Sequence, residues 1–125
     1  MTVMGKLLRV SALMFVGCLQ SEPLTDEDAW EAWADFDSEI RASEDLCSMP
    51  VVSWSAEQLE CVIDFTMERG EFEQLVAWLR SVAAAQPEVR ACIASAGCER
   101  YLACLDYRDL ETPDSWADAS RACFR

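Results

Sequence analysis

Apolar residues recur every three or four positions over most of the chain after residue 25, which is the spacing of one helix face. Thr25 and the acidic residues that follow it are typical of a helix N-terminus, where a capping side chain and negative charge are favourable. The pattern predicts a helix from this point to about Leu46, ending before Met49-Pro50. Its expected buried stripe is Ala29, Trp33, Phe36 and Ile40.

The next two segments carry helix start and stop signals of their own. Ser55 and Gln58 have the spacing of a capping box, and Gly70 is expected to end that helix. The predicted buried stripe is Leu59, Val62, Ile63 and Thr66, with Cys61 and Phe65 beside it. A further amphipathic helix is predicted with the stripe Phe72, Leu75, Val76, Leu79, Val82 and Ala83.

Proline and glycine positions divide the remainder of the chain. Pro87 is predicted to open a new short helix that ends at Gly97, and Thr112-Pro113 is predicted to cap the last helix. Alternation with a period of two is too short for a strand even at Val51–Trp54, its best example. We therefore predict an all-α fold, a small disulfide-stapled bundle of about five to six helices.

The first seventeen residues follow a different pattern. A short basic stretch, Met1–Arg9, precedes the apolar run Val10–Val16 and the small residue Gly17, which is the order of an export signal. The apolar run is shorter than the roughly 20 residues that a membrane-spanning helix needs. We therefore predict a signal peptide at 1–17, a tether at 18–24 and one acidic helical domain at 25–125.

The end of this signal, Phe15-Val16-Gly17-Cys18, resembles the lipobox of bacterial lipoproteins, in which a small residue precedes an obligatory cysteine. Phe15 departs from that pattern, because the family usually has leucine there. The resemblance implies cleavage before Cys18 by signal peptidase II, a diacylglyceryl group on the Cys18 thiol, and acylation of the new amino terminus by a chain such as palmitate. Leu19 resembles the sorting pattern of outer-membrane lipoproteins. Cleavage without a lipid and a structural N-terminal helix are the two alternatives.

Six cysteines follow Cys18, namely Cys47, Cys61, Cys92, Cys98, Cys104 and Cys123. An even number in an exported chain predicts three disulfides. A metal site is disfavoured because the chain has no Cys-x2-Cys pair and no histidine. Acylation of Cys18 would also account for the odd total of seven cysteines. We expect no metal and no cofactor.

The sequence does not choose among the possible disulfide pairings. Cys92 and Cys104 lie symmetrically about Gly97-Cys98, so the two arms of a helical hairpin could bring them together. This symmetry favours a Cys92–Cys104 bridge. The remaining expectation is Cys98 with Cys123 and Cys47 with Cys61.

The charge of the chain limits the partners that it can bind. It has 10 Lys+Arg against 23 Asp+Glu, and no lysine follows Cys18, so cleavage would leave a net charge of -15 from eight arginines and 23 acids. Such a body repels phosphate backbones and anionic headgroups. Nucleic acid is therefore excluded as a partner, whereas a basic protein or cations are compatible.

Catalytic residue types are scarce. No histidine is present and no lysine survives cleavage, so the commonest general base and the amine nucleophile are missing, and no catalytic residue is predicted. Asp35 to Glu39 superficially resembles a calcium loop, but Ile40 replaces the glycine of its sharp turn and the segment lies in a predicted helix. We interpret it as a solvated acidic face.

Five tryptophans are many for a domain of this size. Trp33 and Trp116 lie on apolar stripes and are predicted to be core residues, whereas Trp30, Trp54 and Trp78 lie off the main stripes. Because tryptophan is enriched at binding surfaces, these three are the candidate partner-binding residues, together with the Asp and Glu residues of the first helix.

The sequence predicts a membrane-anchored exported lipoprotein of the bacterial cell envelope, handled by the export and lipoprotein-processing machinery. Its lipid would hold it to the outer membrane, on either the periplasmic or the cell-surface face. We expect a non-enzymatic protein-interaction or structural module with a protein partner. The alternatives are a cation-binding acidic module and an inhibitor of a basic envelope hydrolase, and an enzyme is disfavoured.

Overall fold

The computed structural model describes residues 23–50, 54–107 and 110–124. About 76% of them are helical and no strand is present among them, which confirms the all-α prediction. The elements are α1 (Asp26–Leu46), α2 (Ala56–Glu68), α3 (Phe72–Ala96), a 3₁₀ turn (Cys98–Arg100), α4 (Tyr101–Cys104) and α5 (Trp116–Cys123).

The first two helices begin where their sequence signals predict. The Thr25 backbone N–H donates to the Asp28 carboxylate at 2.7 Å, one turn into α1. At the start of α2, the Ser55 N–H donates to Gln58 Oε1 at 2.8 Å, and the Gln58 N–H donates to Ser55 Oγ at 3.1 Å. These bonds satisfy N–H groups that no helical carbonyl can reach. Helix α2 ends before Gly70, whose φ of 69° suits glycine.

Helix α3 is longer than predicted, because it continues through Pro87 to Ala96. The prediction that Pro87 opens a separate helix is wrong. Gln86, the residue before it, is fully buried, and its side chain Nε2 donates to the Val82 carbonyl at 3.0 Å, in the turn before the proline. Val82 and Val89 are buried on either side of Pro87, and this packing favours continuation of the helix across the proline.

The last helix starts later than predicted, at Trp116 rather than directly after Thr112-Pro113. Pro113 is buried, and its carbonyl accepts a bond from the Trp116 N–H at 2.9 Å in a tight turn. Ser115 is the N-cap residue, and its N–H and hydroxyl bind the Glu71 carboxylate of the loop before α3. The start of α5 is therefore set by a tertiary contact.

Helices α1 and α3 run parallel. Contacts between them advance together along both helices, from Phe36–Trp78 through Ser43–Gln86 to the Cys47–Cys98 bridge just beyond their ends. Helix α2 connects their opposite ends and is joined to α5 by the Cys61–Cys123 bridge. Four residues of α1 are buried, and three of them, Ala29, Ala32 and Ser43, are small.

The core has two parts. The larger one lies among α1, α2 and α3 and contains Ala29, Ala32, Leu59, Val62, Ile63, Phe72, Leu75, Val76 and Leu79. The smaller one lies at the carboxyl end of α3 and contains Val89, Ile93, Tyr101 and Cys104. The predicted stripe of α2 is buried in full, whereas Trp33, Phe36 and Ile40 of α1 are only partly buried. The α1 residues that are fully enclosed in the larger core are the small residues Ala29 and Ala32.

Candidate functional site

Five aromatic rings meet on one side of the bundle. They come from four separate parts of the chain and lie with neighbouring centroids between 5.0 and 6.3 Å apart, at Phe36, Trp54, Trp78, Trp116 and Phe124. All five pack against the larger core and are partly buried. Rings at these distances stabilise one another beyond their burial alone. This aromatic cluster therefore fixes how α1, α3 and α5 meet the start of α2.

The structure separates the three candidate partner-binding tryptophans. Trp54 and Trp78 stack within the aromatic cluster at 6.3 Å, whereas Trp30 contacts Trp33 edge-on at 6.1 Å. Trp116, predicted as core, lies in the same cluster and is also only partly buried. The contrast that the sequence suggested between core and binding tryptophans is thus absent, because all five combine packing with partial exposure.

Trp78 also lines a surface groove of about 450 Å³ beside α3, which we call the acidic–aromatic groove. One wall is a face of α3 and the other is the segment before α5. The lining residues are Glu73, Gln74, Ala77, Trp78, Ser81, Leu110 and Glu111. Glu73, Ala77 and Ser81 follow one another at four-residue spacing, so α3 presents them in a row.

Three hydrogen bonds hold the second wall of this groove in place. The Asp114 N–H donates to Gln74 Oε1 at 3.1 Å, and Ser115 binds Glu71 Oε1 through its N–H at 3.0 Å and its hydroxyl at 2.7 Å. The two bonds from Ser115 lower the pKa of the Glu71 carboxyl, because both favour its ionised form. The segment that carries Leu110 and Glu111 is thereby anchored to the amino-terminal part of α3.

A second groove, of about 600 Å³, lies between α1 and α3 and carries both signs of charge. Its lining residues are Asp35, Ser38, Glu39, Arg80, Ala83, Ala84 and Pro87. Glu39 is already engaged, since its carboxylate binds Arg90 at 2.9 Å. The acidic segment read as a possible calcium loop lies within α1, and Asp37 pairs with Arg41 at 2.8 Å. Among the described residues, no group of His, Cys, Asp and Glu is arranged to hold a metal ion.

A buried polar network connects α1, α3 and the chain after α4. Ser43 Oγ donates to Gln86 Oε1 at 2.8 Å, and Gln86 Nε2 donates to the Tyr107 hydroxyl at 2.6 Å. Arg90 donates to the Glu39 carbonyl at 3.2 Å and contacts Ser43 Oγ at 3.4 Å. Burial raises the pKa of Tyr107, and the nearby Glu44 charge adds to that effect. The network is a structural link, and the sequence analysis did not identify it.

All six cysteines after Cys18 form disulfides, and they pair as Cys47–Cys98, Cys61–Cys123 and Cys92–Cys104. The Cys92–Cys104 prediction is confirmed. The other two expected pairs are wrong, because parallel packing of α1 and α3 brings Cys47 to Cys98, and α5 lies along α2 with Cys123 beside Cys61. Each pair has a Cα–Cα distance of 5.5 to 5.8 Å, which is normal for a disulfide.

Comparison with known protein families, curated proteins and solved structures found no match to this chain. Within the described part of the chain, no helix combines the length and apolar character needed to span a membrane. The predicted signal peptide, the lipobox and Cys18 lie outside the described residues. The candidate functional sites are therefore inferred from the structure of this chain alone.

Proposed function

We propose that this chain is the precursor of a bacterial envelope lipoprotein, cleaved before Cys18 and acylated there. Its disulfide-bonded helical domain would be a non-enzymatic module that binds a protein partner. The outer membrane would hold the lipid, as Leu19 suggests by resemblance. Helix α1 starts at Asp26, so only seven residues, 19–25, would separate it from the acylated Cys18.

The observation that carries this proposal is the use of cysteine. Three disulfides take six of the seven cysteines, and the one that they do not use is Cys18, directly behind the predicted signal sequence. Disulfides persist in oxidising compartments such as the bacterial periplasm and are rare in the cytosol. Acylation would give the seventh thiol a role and would leave no free thiol in the mature protein.

The roles of the charged side chains support a binding module. Glu71 clamps the start of α5, and Glu39 and Asp37 form ion pairs with arginines. Most of the other described carboxylates are exposed, and all 23 acids with the eight arginines give the predicted mature chain a net charge of -15. Such a surface attracts basic partners and increases their association rate at low salt.

Labelling with a fatty acid tests the anchor. Bacteria that express the chain are fed an alkyne analogue of palmitate, and the label is read on the wild type and on Cys18→Ser. We expect label on the wild type alone and accumulation of the uncleaved precursor when signal peptidase II is inhibited. Equal labelling of the two chains, or none on either, would contradict the proposal.

A further inference from the structure

Trp78, which lines the acidic–aromatic groove, is held in place by other aromatic side chains. Trp78 packs against Trp54 at 6.3 Å and against Trp116 at 5.0 Å, and these neighbours hold its ring in one orientation. Trp78 is only partly buried, and the surface that it keeps lines the groove. An indole ring held this way is the strongest side-chain partner for a cation placed over its face.

Both charged residues in the described lining of the groove are acidic. Glu73 projects from α3 and Glu111 from the opposite wall, and both residues are exposed. Among the described residues that line the groove, none is an arginine or a lysine. In the described part of the chain neither carboxylate belongs to an ion pair, unlike Glu39 in the groove between α1 and α3. The two carboxylates are therefore available to an external cation.

Building on the proposed function, we propose that the acidic–aromatic groove binds an arginine or lysine side chain of a basic protein segment. The aliphatic stem of that side chain packs along Ala77 and Leu110. Its cationic head lies near the Trp78 ring and between the carboxylates of Glu73 and Glu111. Long basic side chains combine an apolar stem with a charged head. The groove offers apolar residues to the stem and acidic residues to the head. The groove between α1 and α3 is a poorer match because Arg80 lines it.

A peptide-binding measurement with matched charge changes tests the assignment. The full chain, purified in non-ionic detergent, is titrated with hexa-arginine at low salt, with tryptophan fluorescence as one readout and calorimetry as another. The groove variant is Glu73→Gln/Glu111→Gln. The control is Glu57→Gln/Glu60→Gln, which removes the same charge from exposed positions on α2. Thermal melting first confirms that both variants fold.

We expect the groove variant to bind hexa-arginine about five- to ten-fold more weakly than the wild type, and the control to change affinity less than about two-fold. Ala77→Lys, which places an ammonium group in the groove, should give a loss similar to that of the groove variant. Equal losses in the groove variant and the control would show that the peptide is held by the general negative field, and would overturn the assignment. Unchanged affinity in both would overturn it too.

Self-association is a separate outcome of the same experiment. Sedimentation of the wild type alone should give a monomer, because two chains of such negative charge repel each other. A dimer that Ala77→Lys dissociates would make a second copy the occupant and would overturn the proposal. Acylation of Cys18 is read independently, so loss of the anchor and loss of the groove are distinguishable results.

Discussion

Gln86 shows how one polar side chain can connect three parts of the chain. It is fully buried on α3, accepts from Ser43 of α1 and donates to Tyr107 after α4. Buried polar groups are stable only when they are hydrogen-bonded, so this residue specifies how the three parts fit together. The sequence does not predict this buried role, because glutamine is usually exposed. Its position nevertheless continues the apolar stripe of α3.

Gln86→Leu should lower the free energy of unfolding by about 2 to 4 kcal/mol, because Ser43 Oγ and the Tyr107 hydroxyl lose a buried partner. Urea denaturation measures this change. In a double-mutant cycle, Ser43→Ala combined with Gln86→Leu should cost less than the sum of the two single changes. Strict additivity would mean that the two side chains do not depend on each other.

Glu71 gives the fold a measurable pH dependence. Its bonds to Ser115 lower its pKa in the folded state, so its contribution is complete above the ordinary pKa of glutamate and is lost as pH falls through the lowered value. Wild type should therefore be more stable than Glu71→Gln near neutral pH, and the gap should close as the pH falls below the ordinary pKa of glutamate and through the lowered one. Thermal melting across this range measures it. A gap that stays constant with pH would contradict the assigned cause.

Helix α3 illustrates what the pattern along a chain can and cannot predict. Leu75, Leu79 and Val82 are followed in the same register by Gln86, Val89 and Ile93, all of them buried. That unbroken register favours one helix, whereas Pro87 favours a break because proline removes a donor and disfavours helix interiors. Packing along α1 and the buried Gln86 outweigh that local cost.

Pro87→Ala should raise the free energy of unfolding by about 1 to 3 kcal/mol. The alanine restores an N–H to the middle of α3, and this gain exceeds the entropy advantage that proline has in the unfolded chain. Urea denaturation measures the change, and Glu88→Ala at the next exposed position is the control, expected to stay within about 0.5 kcal/mol. A loss of stability in Pro87→Ala would mean that the local backbone depends on the proline ring.

Helix starts were predictable where the signal is local. The bonds at Thr25 and Ser55 join residues three positions apart, so the sequence contains both partners. The start of α5 depends on Glu71, which lies 44 positions away from Ser115, and no short pattern encodes that contact. Periodicity likewise does not reveal that Ala32 is buried while Trp33 and Phe36 stay partly exposed.

The disulfides join distant parts of the fold, and only the local bridge was predictable. Cys92 and Cys104 are 12 positions apart and flank a turn, whereas Cys47–Cys98 and Cys61–Cys123 span 51 and 62 positions. Their pairing follows from which helices lie side by side, and the sequence did not specify this arrangement. The acidic–aromatic groove could not be predicted for the same reason. Glu73 and Glu111 line one groove only because the segment before α5 folds back on α3.

Long disulfides should contribute more to stability than the short one, because they restrict the unfolded chain more. Removing Cys61–Cys123 by paired alanine substitution should lower the free energy of unfolding by about 4 kcal/mol, against about 3 kcal/mol for Cys92–Cys104. Urea denaturation of the two double variants gives this order. The reverse order would mean that native-state packing, rather than chain entropy, sets the contribution of each bridge.

The intact mass of the protein from bacterial membranes, measured before and after reduction and alkylation, tests the proposed envelope lipoprotein most directly. We predict a chain that begins at Cys18 with the added mass of a diacylglyceryl group and an N-linked acyl chain. It should take up no alkylating agent before reduction and six equivalents afterwards, one for each cysteine of the three bridges. An unprocessed chain beginning at Met1, with seven thiols that react without reduction, would contradict the account.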